Sequence, residues 1–125
     1  MSKQVKNILL IEDEVVLLEL LADKFKDSGF AVTCAQSAET GIKLAFRSHP
    51  DLILLDLILP KMDGLTMLKK LRKDKWGKGV PVIILSNLND QKKISEAMKS
   101  GVYDFLVKSN VKLAEVVEQV REVLG

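Results

Sequence analysis

Four short apolar runs, each stopped by a polar residue, constrain the fold of this chain more tightly than any other feature. Ile8-Leu9-Leu10-Ile11 is closed by Glu12 and Asp13, and Leu52-Ile53-Leu54-Leu55 by Asp56. Val82-Ile83-Ile84-Leu85 is closed by Ser86, and Phe105-Leu106-Val107 by Lys108. Runs of this length without internal alternation read as strands buried on both faces, the pattern of a parallel sheet covered by helices. Such sheets bind ligands outside the carboxyl ends of their strands. The runs therefore send Glu12, Asp13, Asp56, Ser86 and Lys108 to one sheet edge. Carboxylates, a hydroxyl and an ammonium together suit a metal ion and a phosphate group.

The intervening stretches carry helical periodicity and helix-end signals, so strands and helices alternate along the chain. Strands are expected near 7–11, 31–35, 51–55, 82–85 and 105–108. The first helix follows Asp13, with Leu17, Leu20, Leu21 and Phe25 as its buried stripe and Gly29 as a C-terminal cap. Ser37 suits the start of the second helix, which His49-Pro50 ends. The third begins near Gly64 and dissolves into Trp76-Gly77-Lys78-Gly79. The fourth runs from about Asp90 to Ser100-Gly101. The fifth carries Leu113, Val116, Val117, Val120 and Leu124 at helical spacing. At 125 residues, this is one α/β domain spanning 1–125, with no output domain expected.

The net charge of +2 is too near balance to indicate direct nucleic-acid binding. Lys69, Lys70, Arg72, Lys73, Lys75 and Lys78 read as a solvated helix end, where cations are favourable. No apolar stretch reaches membrane-span length and the N-terminus has no signal-peptide core, so a cytoplasmic location is expected. The single Cys34 allows no internal disulfide and, lying in a strand, is expected as a small buried hydrophobe. His49 is expected in a surface loop.

If the first and third strands are neighbours, Glu12, Asp13 and Asp56 converge. Carboxylates about 4 Å apart repel by roughly 4 kcal/mol per pair at an effective dielectric near 20. Raised pKa values, a nearby cation or a bound metal must offset that. Oxygen-only ligands without Cys or His point to Mg²⁺. A strand-end Asp beside Mg²⁺ and a Lys is suited to accept a phosphoryl group as an acyl phosphate. Asp56 is already ionised and needs no general base, while Lys108 and Ser86 can bind phosphoryl oxygens. Taken singly, each of these residues is an ordinary turn or cap residue. Coincidence at four strand ends on one edge is not ordinary.

These residues lie in segments that resemble the receiver domain of two-component response regulators over essentially the whole chain. The segments are Ile8–Glu14, Pro50–Gly64, Val80–Ser86 and Gly101–Lys108. The resemblance implies a flavodoxin-like (βα)5 fold, a doubly wound parallel five-stranded sheet in the order 2-1-3-4-5, which is carried over from the family. It implies a phosphorylation-dependent signalling switch, a regulatory domain and not an enzyme, with slow autodephosphorylation. Asp56 would accept the phosphoryl group from a histidine kinase or phosphotransfer protein. Asp13, Asp56 and the main-chain carbonyl of Ile58 would bind Mg²⁺ directly, with Glu12 acting through water. Ser86 and Lys108 would hold the phosphoryl group, and Ser86 and Phe105 would form the switch. The phosphorylated state would change binding to an unknown output protein or domain, as a monomer or a phosphorylation-dependent dimer. Val15 and Leu18, at the margin of the first helix's stripe, would offer an apolar contact to the phosphodonor.

Three positions depart from the family pattern. Ser109 replaces the usual proline after the lysine, so a trans bond and an altered path into Asn110-Val111 are expected, since a cis bond here costs about 3 kcal/mol. Asn87 stands where a small residue commonly follows the Ser/Thr, and is expected to cover part of the acceptor site. Phe105 lacks the hydroxyl of a frequent tyrosine. Competing readings are the receiver portion of a longer DNA-binding regulator and an Asp-dependent, dehalogenase-like phosphatase. The latter wants Asp-x-Asp, which Asp56-Leu57-Ile58 does not offer. A nucleotide or flavin binder would want glycines where Glu12-Asp13-Glu14 stands.

Overall fold

The computed structural model describes residues 4–125. Five strands alternate with five helices: β1 Asn7–Ile11, α1 Val15–Asp27, β2 Ala31–Ala35, α2 Ala38–Ser48, β3 Leu52–Leu55, α3 Gly64–Lys73, β4 Val82–Ser86, α4 Gln91–Lys99, β5 Asp104–Val107 and α5 Leu113–Leu124. All strand pairs are parallel and the order is β2-β1-β3-β4-β5. The continuous apolar runs have the cause expected of them. Alternate residues feed two cores, one on each face of the sheet.

Leu9, Ile11, Ile53, Leu55, Val82 and Ile84 face α2, α3 and α4. Ile8, Leu10, Leu52, Leu54, Ile83 and Leu85 face α1 and α5. The order reverses direction between β1 and β3, whose registers match Ile11 with Leu55. Glu12 and Asp56 therefore emerge side by side where the sheet forks. At the other junction Ser86 pairs with Val107, which sets Lys108 one residue beyond.

Helix ends follow local chemistry. Ser37, Asp63 and Asp90 accept main-chain N–H groups of Thr40, Thr66 and Lys93 and so cap α2, α3 and α4. Gly29 follows α1 with φ +94°, a conformation suited to glycine. Arg72 closes the far end of the sheet. Its guanidinium donates to the carbonyls of Gly77 (2.6 Å), Val80 (2.8 Å), Ser100 (2.8 Å) and Gly101 (3.2 Å). It thereby ties α3 to the turn before β4 and to the C-terminal end of α4. His49, exposed as expected, stacks on Trp76 with ring centroids 4.3 Å apart.

Several side-chain placements differ from expectation, and Arg72, expected in a solvated cluster, is half-buried on four carbonyls. The buried stripe of α1 is Leu18, Leu21, Ala22 and Phe25, whereas Leu20 is 50% exposed. The stripe is rotated relative to the expected one, because small Ala22 rather than Leu20 fits against the sheet. Cys34 is exposed rather than buried, because β2 is an edge strand whose Thr33 and Cys34 lie open. The Lys108–Ser109 bond is trans, as there is no cis peptide among the described residues. No helix among them is long and apolar enough to cross a membrane.

Candidate functional site

The residues that close β1, β3, β4 and β5 meet in one place. Glu12, Asp56 and Ser86 are the polar residues buried among the described core, at 3%, 3% and 0% exposure. Asp56 is held from three directions. Its Oδ1 accepts the Ser86 hydroxyl at 2.6 Å and the Ile58 main-chain N–H at 2.9 Å. Its Oδ2 accepts the Lys108 ammonium at 2.6 Å. The same ammonium lies 2.6 Å from Glu12 Oε1 and 3.4 Å from Glu14 Oε1. Ser86 Oγ also accepts the N–H of Leu88 at 3.3 Å, which ties the hydroxyl to the loop leading into α4.

The floor of the site is set by the tight turn after β3. The N–H of Gly64 donates to Leu57 O at 3.0 Å. A Cβ on Gly64 would press on the main-chain oxygen of Asp56 and come within 2.7 Å of Leu57 Cα. Glycine here lets α3 start directly against the acceptor strand.

One oxygen each of Glu12, Asp13 and Asp56 lies within 4.8 Å of the others, the single acidic cluster of metal-binding type among the described residues. Hard oxygen donors, one of them exposed on Asp13, fit a magnesium ion that keeps several waters. Burial pushes the Glu12 carboxyl above its ordinary pKa, and the charge of Asp56 adds to that rise. The bonds from Lys108 and from the N–H of Glu14 only partly counter it. Burial pulls the Lys108 ammonium the other way, toward losing its proton. Hydrogen bonds to Asp56 and Glu12, with the charges of both, outweigh burial and hold it above the usual lysine value. Lys108 is thus a fixed cation in a site that holds more negative charge than it can neutralise.

Above these groups opens a pocket of about 250 Å³ lined by Asp13, Glu14, Asp56, Ile58, Asn87 and Lys108. Buried Asp56 is reached through it. A carboxylate pinned at the base of an open pocket, between an ammonium and a hydroxyl, can act as an acceptor of an electrophilic phosphorus.

The chain matches the model of the response regulator receiver domain over residues 8–121. It belongs to that family. The receiver is 34% identical over 117 residues to the DNA-binding dual master transcriptional regulator RpaA of Synechocystis, covering 94% of this chain and 48% of that protein. It is 34% identical over 101 residues to the response regulator PleD of Caulobacter vibrioides, covering 81% of this chain and 22% of PleD. The receiver thus spans about half or less of the length of these curated relatives. A response regulator structure from Chloroflexus aurantiacus superposes with TM-score 0.87 at 26% identity, covering 97% of this chain and 98% of that one. A two-component response regulator from Clostridium difficile gives 0.85 at 28% identity, with 95% of each chain covered. Receiver domains of response regulators are regulatory domains of two-component systems, and they bind Mg²⁺ at an acidic site of the kind formed here.

The receiver brings together Glu12, Asp13, Asp56, Ser86 and Lys108. Ile58 stands at the pocket mouth, half exposed, and its N–H is already engaged with Asp56. Phe105 lies apart from the charges, partly buried against the core formed with α2, α3 and α4. One contributor, Glu14, went unassigned in the sequence, and Asn87, expected beside the acceptor site and found in the pocket lining, makes a contact that was not foreseen. Glu14 reaches Lys108, and being the third acid of Glu12-Asp13-Glu14 was the available signal. Asn87 Oδ1 accepts the N–H of Ser109 at 3.0 Å, a contact that no spacing rule announces. The expectation for Leu18 needs correction. It is core, and the exposed apolar residues of α1 are Val15, Val16 and Leu20.

Proposed function

We propose that this receiver accepts a phosphoryl group on Asp56 from a phosphohistidine of a histidine kinase or phosphotransfer protein, and that residues 1–125 act as one switch unit. A carboxylate oxygen of Asp56 forms the new O–P bond as the donor's P–N bond breaks, with the electron pair leaving on the imidazole nitrogen. Glu12, Asp13, Asp56 and the main-chain carbonyl of Ile58 would hold Mg²⁺, with Glu12 acting through water. The ion, when bound, supplies positive charge to the oxygens of the transferring group. Lys108 pairs with one phosphoryl oxygen, and the Ser86 hydroxyl donates to another. The observation that carries this reading is the pinning of buried Asp56 by Lys108 and Ser86, both at 2.6 Å.

Phosphorylation puts nearly two negative charges in place of the single charge of the Asp56 carboxylate. Ser86, released from Asp56 Oδ1 to the phosphoryl group, would vacate space for Phe105 to turn inward. That biases a two-state equilibrium on the face of α4, β5 and α5, and changes affinity for an output partner. Val15, Val16 and Leu20 on α1, at 47%, 72% and 50% exposure, form an apolar contact for the phosphodonor beside the pocket.

Incubation with Mg²⁺ and acetyl phosphate, followed by intact-mass measurement, tests the central step. One phosphoryl adduct on wild type and none on Asp56→Asn is the expected result. No adduct on wild type, or an undiminished one on the variant, defeats the proposal. A second reading, that this receiver controls an attached DNA-binding segment, is favoured by the likeness to RpaA, a DNA-binding transcriptional regulator of which 48% is matched. The mass of the native gene product decides between an attached and a separate output.

A further inference from the structure

Two departures from the family pattern meet in space. Asn87 replaces the small residue expected after the hydroxyl, and Ser109 the proline expected after the lysine. Asn87 Oδ1 accepts the main-chain N–H of Ser109 at 3.0 Å, across 22 positions of sequence. One residue earlier, the N–H of Lys108 donates to Ser86 O at 3.2 Å, just past the last register pair, Ser86 with Val107. The Asn87 side chain therefore adds one rung to the β4–β5 ladder beyond the point where the strands end. A proline at 109 would have no N–H to give, and a small residue at 87 no oxygen to receive it. Each departure supplies what the other uses.

This rung bears on the site because Lys108 lies between the two tethered N–H groups. Its ammonium sits at the end of a flexible four-carbon stem, yet stands 2.6 Å from both Glu12 and Asp56. Where the backbone of Lys108 is fixed decides whether the ammonium can span both acids. We propose that Asn87 is a positioning residue, which acts through the main-chain N–H of Ser109 to hold Lys108 on Asp56. The proposal rests on Asp56 as the phospho-acceptor for its kinetic consequence, but not for its structural one.

Two measurements separate these consequences. Without any phosphodonor, Asn87→Ala should speed hydrogen exchange of the Ser109 amide roughly fivefold, the worth of one ordinary hydrogen bond. It should also broaden the ¹⁵N signal of the Lys108 ammonium. Ser109→Ala keeps the donor and should keep both signatures, and Asn89→Ala in the same loop serves as the control. With acetyl phosphate and Mg²⁺, Asn87→Ala should be labelled several-fold more slowly at unchanged Mg²⁺ affinity. Combining it with Ser109→Pro should add little, since both remove one interaction. An unchanged Ser109 amide and Lys108 signal in Asn87→Ala, or labelling at or above the wild-type rate, overturns the proposal. Wild type that is not labelled at all, with the exchange and ammonium effects present, overturns the phospho-acceptor reading and leaves the positioning role standing.

Discussion

Removing the ammonium of Lys108 is the perturbation whose outcome follows most directly from the geometry. Its side chain is 9% exposed and those of Glu12 and Asp56 are 4% exposed. In Lys108→Ala the two carboxylates, with oxygens within 4.8 Å of each other, face one another without a cation. At an effective dielectric near 20 their repulsion is about 3.5 kcal/mol. Breaking a buried pair by deleting one partner costs about 3–5 kcal/mol in general. Water entering the vacated space and proton uptake by Glu12 limit the loss, so about 3 kcal/mol at pH 7 is expected. The pH dependence has a definite sign. Folded Glu12 already holds its proton more tightly than the unfolded chain does, and loss of Lys108 raises its pKa further. Folding of the variant therefore takes up protons as pH falls, and the gap to wild type narrows between pH 7 and pH 5. On the alkaline side, the folded pKa of Lys108 is raised. Its contribution is fully present below the ordinary lysine value of about 10.4 and is lost only as pH rises through the higher folded value. The gap should stay constant from pH 7 to pH 9. Urea unfolding followed by circular dichroism, with and without Mg²⁺, measures this, and Mg²⁺ should stabilise the variant more than wild type. A gap below 0.5 kcal/mol at pH 7, or one that widens on acidification, refutes the electrostatic account.

Other substitutions probe separate parts of the molecule. Arg72→Ala strands four carbonyls and should cost roughly 2–4 kcal/mol in urea unfolding, as bonds to charged donors are strong. Arg72→Lys should recover less than half of this, since an ammonium cannot match the planar fork. Leu18→Ala should destabilise by about 2–4 kcal/mol, whereas Leu20→Ala should change stability by less than about 0.5 kcal/mol. Equal effects would contradict the phase of α1. Gly64→Ala should lower both thermal stability and the rate of labelling at Asp56, because the added Cβ meets the backbone of Asp56 and Leu57. Loss of stability with labelling unchanged would show that the turn does not set the acceptor's position.

The sheet was legible because parallel strands covered on both faces need continuous apolar runs, and the chain contains them at helix-length intervals. The convergence of Glu12, Asp13 and Asp56 was legible too, once β1 and β3 were taken as neighbours. The rotation of α1 was not. Val15-Val16-Leu17-Leu18-Glu19-Leu20-Leu21 is apolar almost all round, so several stripes satisfy the helical period. Phe25 fixes the answer when Ala22 is counted as core, since Leu18, Leu21, Ala22 and Phe25 then stand at i, i+3, i+4 and i+7. Cys34 failed for a different reason. Its strand reads the same at the edge or the centre of a sheet, and only the order of strands exposes it. The Asn87–Ser109 bond joins loops whose meeting depends on the register of β4 with β5, which no local pattern encodes.

The charge balance of the acceptor edge links stability to signalling. Three carboxylates share the cluster and Glu14 adds a fourth at its rim, against one built-in ammonium. Burial is the main cause of the raised pKa of Glu12, and the charge of Asp56 adds to it against the pull of Lys108. An acyl phosphate on Asp56 would carry nearly two negative charges where the carboxylate carried one, a gain that the ammonium alone cannot balance. The site is thus arranged so that a divalent cation is needed more in the modified state than in the resting one. Differential affinity of that kind is what lets a bound ion favour one state over another. Substituting Glu12 or Asp13 by its amide should therefore ease the resting fold while weakening hold on the phosphoryl state. The same charges that make the resting receiver less stable are those that would make it responsive.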